Sequence, residues 1–407
     1  MFRTNGTACS GQMGQMGQTA LSSGAAAFVD DHILMGHATS CHNQAAKLCK
    51  LNDYKDGFKI VTLGEAVTAL GLEMLFYQTP MYLYMCLRQH DYGIMWVGRM
   101  EAEIGKKLVS KDTPGFANGR MFAQGSGPGI FVNSARSFVS ACMYAGRHTM
   151  PELVEPCNFL SCFFNDWCVM QDAGLLHLFG YWKTQLECKN DTLEIRICVQ
   201  DAKEHTIVNN YFSDADHASN FARKSTSAGA AMLEGKYGTK GLLDYGCKLQ
   251  PSASKSSGES ETVAVDQVAK ALNEDEPTKL EIEMINRSAD KMKATVAVCQ
   301  RLIAPIGELI EWVCNDRYVI KSETLFIDAS VAVSIAISGN SRALQYVRKT
   351  QAVDVAWMHD CLVHLGVQPK KVDTSMNISD LWTKAVTRAT LITLLQLIGR
   401  RIHLEGM

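Results

Sequence analysis

The chain has 407 residues, of which 47% are hydrophobic and 20% are charged, and its formal net charge is −2. This length allows two or three domains, and the composition is that of ordinary globular proteins. A uniformly basic nucleic-acid-binding chain is excluded, so any nucleic-acid surface must be a local patch. The sequence has no apolar run of about 18 residues, so we expect no membrane helix.

The 14 cysteines are spread along the chain rather than concentrated in a small secreted domain. No apolar signal segment follows Arg3. We therefore expect reduced thiols and an intracellular protein, either cytoplasmic or nuclear. One group of possible metal ligands, whose spacing fits no tetrahedral zinc pattern, is formed by His37, Cys41, His42 and Cys49.

The first half of the chain begins with a low-complexity segment, residues 1–23, which is typical of a flexible leader. The sequence FVDDHILMG then predicts a β-hairpin with Asp30 and Asp31 at its tip. The apolar region 130–180 predicts packed helices, broken at two prolines, Pro151 and Pro156. Its aromatic stretch FFNDWCVM is predicted to lie in the core.

The second half changes character near residue 190. TLEIRICVQ, TIVNNYFSD, AGAAMLEG and GLLDYGCKLQ predict a strand meander, which leads into a helix at VAVDQVAKAL. Residues 251–260 predict a loop, 273–283 an exposed acidic segment, and 289–314 a helix. ETLFIDASVAVSIAI predicts a buried strand followed by a helix. This order of elements indicates an α/β fold.

The last predicted element is one amphipathic helix over ISDLWTKAVTRATLITLLQLIG, with Asn377 or Ser379 near its start as a possible cap.

Four acidic residues, each at a predicted strand end or helix start, are Asp214, Glu261, Asp328 and Asp380. Carboxylates in one crevice repel each other and need divalent cations, for which hard oxygen ligands favour Mg²⁺ or Mn²⁺. Two such ions can hold a phosphodiester for hydrolysis. The alternative is that each acid is an ordinary turn or cap residue, and spacing alone does not decide between the two.

The text around these acids resembles the Pol polyprotein of copia-type LTR retrotransposons, from about residue 24 to 399. YFSDADHASNFARKSTSAG is similar to the family's GYSDADWAGD and RKSTSGY, and SSGESETVAV to its SSTEAEYMAL. LFIDASVAVSIAI is similar to IYCDNQSAIAI, and NISDLWTKAV to NLADILTKPL. The four matches occur in the family's order. Here His217 stands where the family has tryptophan, and Thr262 where it has tyrosine.

The resemblance implies a partial reverse transcriptase palm at 24–110, a helical thumb and connection at 111–200, and a ribonuclease H-like domain at 201–400. That last domain is expected to have a mixed sheet with flanking helices. The implied metal ligands are Asp214, Glu261, Asp328 and Asp380. The implied activity is hydrolysis of RNA in RNA–DNA hybrids with Mg²⁺ or Mn²⁺, and other retroelement Pol or Gag products are possible partners.

The hairpin sequence FVDDHILMG resembles the polymerase motif YVDDLILTG, in which the paired aspartates hold Mg²⁺. Asp30 and Asp31 match that pair, with Phe28 in place of the usual tyrosine. The family's fingers and its third polymerase aspartate would precede the hairpin and are not in this sequence. We therefore expect no DNA polymerase activity from this chain alone.

Further residues match the family's motifs without a fixed role. Lys224, Ser225 and Thr226 either contact the nucleic-acid backbone or form a strand edge. Arg348 and Lys349 form either a basic patch or a solvated helix face. His359 is a possible proton shuttle.

Two alternatives to an active ribonuclease H remain open from the sequence. One is a truncated, inactive retrotransposon remnant, and the other is a module that binds nucleic acid without turnover.

Overall fold

The computed structural model describes residues 23–28, 31–36, 68–69, 71–115, 127–204, 206–218, 224–272 and 323–401. Several predictions lie outside these residues: the leader, Asp30, the possible zinc ligands at 37–49, the acidic segment 273–283 and the helix at 289–314. The chain forms two compact units, residues 1–63 and 64–407.

In the first unit, β1 (Ser23–Phe28) pairs antiparallel with β2 (Asp31–Gly36). Phe28 lies opposite Asp31, so the connection between the strands is two residues long. The predicted hairpin is confirmed, and Asp31 is the first residue of its second strand.

The second unit is built on a nine-stranded mixed sheet in the order β11-β10-β7-β8-β9-β6-β5-β4-β3. β10 is parallel to both β7 and β11, and the other pairings are antiparallel. The strands are β3 (Thr68–Ala69), β4 (Leu72–Gln78), β5 (Tyr82–Arg88), β6 (Thr192–Cys198), β7 (Ile207–Asp216), β8 (Thr226–Gly235), β9 (Lys240–Leu249), β10 (Glu323–Ile327) and β11 (Val367–Lys371).

Eleven α-helices are described in this unit. They are α1 (His90–Ile104), α2 (Ala135–His148), α3 (Val154–Ser161), α4 (Val169–Glu187), α5 (Val199–Glu204), α6 (Ser257–Leu272), α7 (Ser330–Ser338), α8 (Val347–Thr350), α9 (Val355–His364), α10 (Asp380–Thr383) and α11 (Arg388–Leu397). Short 3₁₀ turns cover Pro151–Leu153, Arg342–Leu344 and Thr374–Met376.

Helices cover both faces of the sheet. Successive side chains of a strand point to opposite faces, so neighbouring residues belong to different cores. Phe212 belongs to one core, which also contains residues of α1–α4, α10 and α11. Its neighbour Tyr211 packs against the other core, which contains residues of α6, α7 and α9. The mixed α/β class predicted from the sequence is therefore confirmed.

The sheet crosses two of the predicted domain boundaries. Strands β4 and β5, from the predicted palm at 24–110, continue through β6 into β9 of the predicted ribonuclease H region. The boundaries at 110 and 200 therefore do not separate independent sheets. Burial of Phe163 and Trp167 confirms that the stretch 163–170 contributes to the core.

Two predictions for individual helices are wrong. The final helix is two helices, because Lys384 is extended (φ −148°, ψ 155°) and Thr387 begins α11 by accepting a hydrogen bond from the Thr390 N–H. Pro156 does not break a helix, because it lies in the first turn of α3, where a backbone N–H is not needed.

Candidate metal centre

The register of two parallel strands places Asp214 and Asp328 side by side. Phe326 of β10 lies opposite Phe212 of β7, and their rings are 5.1 Å apart on the same face of the sheet. Two residues further along each strand direction come Asp328 and Asp214, which therefore share that face. Asp214 lies within β7, while Asp328 follows the last residue of β10.

Two helices deliver the other acids. Glu261 lies just after the first turn of α6, and the Ala215 N–H of β7 donates a hydrogen bond to its carboxylate. Asp380 is the first residue of α10. The segment leading to Asp380 is anchored to β7 because the Asn377 side-chain amide donates to the Ser213 carbonyl at 3.0 Å.

The carboxylates converge. Asp214, Asp328 and Asp380 each offer one oxygen, and these oxygens lie within 4.8 Å of one another. Asp214 and Asp380 are only 2% and 4% exposed. Glu261 is 7% exposed, and its Oε2 is buried without a hydrogen-bond partner. A buried oxygen left unpaired is costly unless a cation or donor satisfies it.

Burial and mutual repulsion raise the pKa values of three of these acids. For Glu261, burial and then the charges of Asp214 and Asp328 raise the pKa to about 9. For Asp380, burial and then Asp214 raise the pKa to about 7. Burial and Asp214 also raise the pKa of Asp328. Full ionisation of the cluster is therefore disfavoured unless a cation compensates the negative charge.

Two residues that follow Asp380 contact the cluster directly. The Thr383 hydroxyl donates a hydrogen bond to Asp214 Oδ2. Lys384 Nζ lies 2.6 Å from Asp380 Oδ1 and 3.9 Å from Asp214 Oδ2. Burial lowers the pKa of Lys384, but the charges of Asp214 and Asp380 outweigh it and the net shift is upward.

Asp214, Asp328 and Asp380 thus form a buried site that can hold a metal ion. The donor set is entirely carboxylate oxygen, which is the ligand type that hard divalent cations prefer. Glu261 is not part of this group, although its buried Oε2 has no hydrogen-bond partner and the charges of Asp214 and Asp328 act on it. The residues present therefore fit a divalent cation.

Of the predicted nucleic-acid contacts near β8, Ser225 has a structural role. It is fully buried, its hydroxyl accepts a hydrogen bond from the Ala218 N–H, and its carbonyl accepts one from the Gln250 N–H. Lys224 and Thr226 flank it and are half-buried, and Thr226 begins β8 opposite Asp216.

Arg348 and Lys349 lie exposed on α8, and Arg348 Nε is 3.5 Å from Asp354 Oδ2. The loop before α6 holds α8 in place, because the Ser252 hydroxyl donates to the Thr350 carbonyl at 2.8 Å. Helix α6, which follows that loop, carries Glu261. Arg348 and Lys349 therefore lie on a helix that is held close to the start of α6.

His359 lies in the packing between two helices. Its Nδ1 is 3.0 Å from the Ala336 carbonyl of α7, and its ring adjoins Gly339. These contacts show an interhelical role for His359.

Thr383 and Lys384 are site residues that the sequence did not identify. The sequence LWTKAV is predicted to be part of one continuous helix. That prediction misses the extended residue Lys384, which follows the end of α10 beside the cluster. The contacts arise from tertiary structure, and only the proximity of both residues to Asp380 could have signalled them.

No protein-family model matches this chain, and no curated protein matches it either. In the part of the chain that the structure describes, no helix combines the length and apolar character needed to cross a bilayer.

Proposed function

We propose that this protein is a metal-dependent ribonuclease H-like nuclease that hydrolyses the RNA strand of RNA–DNA hybrids. The observation that carries the proposal is the convergence of Asp214, Asp328 and Asp380, whose oxygens lie within 4.8 Å of one another. All three are among the acids that the resemblance to copia-type Pol polyproteins assigns as metal ligands.

The order of elements also supports the proposal. Three antiparallel strands, β7–β9, are followed by α6 and then by β10, which returns to the other side of β7. This is the order of strand meander, helix and strand that the sequence predicts for the region in which the resemblance implies a ribonuclease H-like domain. The carboxyl ends of adjacent parallel strands form the crevice in which α/β proteins place their sites.

A bound Mg²⁺ or Mn²⁺ would supply the Lewis acid that polarises a phosphodiester and lowers the pKa of attacking water. The chain's own residues hold and orient the ligand oxygens. Thr383 fixes Asp214 by its hydrogen bond, and Asn377 fixes the start of α10 against β7. The reaction adds water across the phosphodiester, so the bond from phosphorus to the 3′ oxygen breaks and a 5′ phosphate remains.

Substrate contact is proposed for the exposed cations of α8. Arg348 and Lys349 can contact phosphates of the hybrid, which contribute affinity without sequence preference. The RNA 2′-hydroxyl groups distinguish the hybrid from a DNA duplex. The hydroxyl of Tyr346, just before α8, donates a hydrogen bond to Glu259 of α6, so α8 adjoins the helix that carries Glu261.

The test uses the full chain with an end-labelled RNA–DNA hybrid and 5 mM Mg²⁺ or Mn²⁺, on the order of the concentrations at which such weakly held ions bind. A DNA duplex of the same sequence is the substrate control. We expect cleavage of the RNA strand only. Asp328→Asn should lower the rate by about a hundredfold or more, because several kcal/mol of charge stabilisation depend on the cation.

Asp360→Asn is the matched control, because Asp360 is an exposed acid on α9 outside the cluster. Its cleavage rate should equal that of the unmodified chain. Hybrid binding without cleavage would refute the nuclease and favour a binding module. Absence of both binding and cleavage would favour an inactive remnant.

A further inference from the structure

A pocket of about 450 Å³ lies beside the turn that joins β8 to β9. It is lined by β6, by the first part of β7 and by the turn itself, between Gly235 and Lys240. Val208 lines the pocket near the start of β7, whereas Asp214 lies near its end, about 20 Å further along the strand. The pocket is therefore separate from the carboxylate cluster, and its volume is typical of a small-molecule site.

The turn that frames the pocket is held in place by Asp201 of α5, which is fully buried. Its carboxylate accepts hydrogen bonds from the Tyr237 N–H at 2.8 Å and from the Thr239 N–H at 2.9 Å. Between them, Gly238 has a φ of +109°, which residues with a side chain rarely adopt. The carbonyl of Gly238 in turn accepts a hydrogen bond from Arg196 Nε at 2.9 Å. The wall of the pocket is thus preformed.

Two cations lie side by side in the pocket. The strand register places Arg196 of β6 directly opposite Lys240 of β9, and both line the pocket and are half-buried. Like charges directly opposite each other in a sheet are destabilising. Burial and then the charge of Arg196 lower the pKa of Lys240, which the charge of Glu234 counteracts only in part. The pair therefore lacks negative charge.

The protein atoms around this pair do not supply that charge. Among the described residues, neither cation forms an ion pair: Arg196 donates to the Gly238 carbonyl and Lys240 to the Gln396 carbonyl. Both acceptors are neutral. Glu234 lines the pocket, but its carboxylate accepts a hydrogen bond from the Asn210 amide.

Lys236 adds a third cation at the rim. It is exposed, and its Nζ lies 4.9 Å from the centre of the Tyr237 ring. Tyr237, and less strongly the charge of Glu204, raise the pKa of Lys236. Lys236 strengthens the attraction of an anion, while the fixed pair Arg196 and Lys240 forms the site.

The charge balance indicates the class of ligand. Three cations and the single acid Glu234 line the pocket, so its excess is two positive charges, in a chain whose formal net charge is −2. A terminal phosphate carries about two negative charges at neutral pH, whereas each phosphate in a nucleic-acid backbone carries one. The fork of a guanidinium group also matches phosphate oxygens.

We propose that this pocket binds a small phosphorylated molecule, whose terminal phosphate lies between Arg196 and Lys240. No residue of the carboxylate cluster lines the pocket, so the inference does not rest on the proposed nuclease function.

The experiment titrates the full chain into inorganic phosphate and follows the width of the ³¹P resonance. EDTA is present, so that no metal ion carries phosphate to the carboxylate cluster, and NaCl keeps the ionic strength constant. We expect saturable binding to one site per chain. Lys240→Gln and Arg196→Gln should each weaken it about tenfold, because each removes a hydrogen bond between charged groups.

Three variants serve as controls. Lys240→Arg keeps the charge and should bind phosphate nearly as well as the unmodified chain. Lys106→Gln should bind equally well, because Lys106 is an exposed lysine that does not line the pocket. Asp328→Asn should also bind equally well, because the cluster takes no part.

Thermal unfolding shows whether the variants are folded. Without phosphate, Lys240→Gln should melt at or above the Tm of the unmodified chain, because a like-charge repulsion is removed. Phosphate should raise the Tm of the unmodified chain and raise that of Lys240→Gln much less.

The outcomes separate the possible sources of phosphate. Absence of saturable binding, or equal affinity in Lys240→Gln, would overturn the site. An RNA–DNA hybrid is added in EDTA as a competitor, and we expect it to leave bound phosphate in place. Displacement of phosphate by the hybrid, together with weaker hybrid binding by Lys240→Gln, would overturn the small-molecule ligand and assign the pocket to the nucleic-acid backbone.

Discussion

Replacing Glu261 by glutamine tests the repulsion inside the carboxylate cluster. The pKa of Glu261 is raised from 4.5 to about 9, first by burial and then by Asp214 and Asp328. Between these pH values the native state keeps a proton that the unfolded chain releases. Stability without metal therefore falls as pH rises through this window, by about 1.4 kcal/mol for each pH unit.

From pH 6 to pH 8 this single group should cost the metal-free protein about 2–3 kcal/mol. Glutamine does not titrate, so Glu261→Gln should lack that part of the loss. The free energy of unfolding is measured by urea denaturation in EDTA at both pH values. Groups that do not interact with Glu261 titrate alike in the two proteins and cancel in the comparison.

Between pH 6 and pH 8 the free energy of unfolding of Glu261→Gln should rise by about 2–3 kcal/mol relative to that of the unmodified chain. The same stability difference at both pH values would refute the reasoning. At pH 8 in Mn²⁺ the unmodified chain should be the more stable of the two proteins. It gains free energy from metal binding that the variant, with a weaker metal ligand at position 261, gains less of.

Three further predictions concern the support of the site. Arg400 and Glu152 are 2.7 Å apart, with side chains at most 1% exposed. Arg400→Met should lower the free energy of unfolding by about 3–5 kcal/mol, because it leaves Glu152 charged and buried. Adding Glu152→Met should recover part of this loss, and fully additive losses would contradict the prediction. Thr383→Val should cost about 1.5–3 kcal/mol in EDTA by removing the hydroxyl that donates to Asp214, whereas Thr383→Ser should cost little in the same urea assay. Removal of divalent ions by EDTA should abolish hybrid cleavage, and Ca²⁺ in place of Mg²⁺ should not restore it, because Ca²⁺ takes more ligands at longer distances.

The local patterns of the sequence were sufficient for most individual elements. Alternation in TIVNNYFSD predicted β7, and the buried strand predicted at ETLFIDAS is β10. The helix predicted at VAVDQVAKAL is α6, although it begins at Ser257, inside the predicted loop 251–260. These predictions succeed because strand and helix periodicities are properties of neighbouring residues. The same locality explains the error at the C-terminus, where an apolar spacing continued across the extended residue Lys384.

The sheet order could not be obtained in this way. Pairing of β10 with β7 joins residues more than 100 positions apart, and β6 joins β5 to β9 across the helical segment. Such pairings depend on which surfaces are buried together, which no local pattern encodes. The domain boundaries at 110 and 200 follow from the family resemblance, which gives no information on a sheet that continues through both.

The sequence by itself determined which residues are acidic and predicted that each lies near the end of a strand or the start of a helix. Tertiary structure decided that Asp214 and Asp328 are neighbours, since that requires the parallel register of β7 with β10. It also decided that Lys384 and Thr383 belong to the cluster, because the chain leaves α10 in an extended conformation beside Asp380 and Asp214. Side-chain chemistry is fixed residue by residue, whereas the distances that turn three acids into one site depend on how distant segments pack.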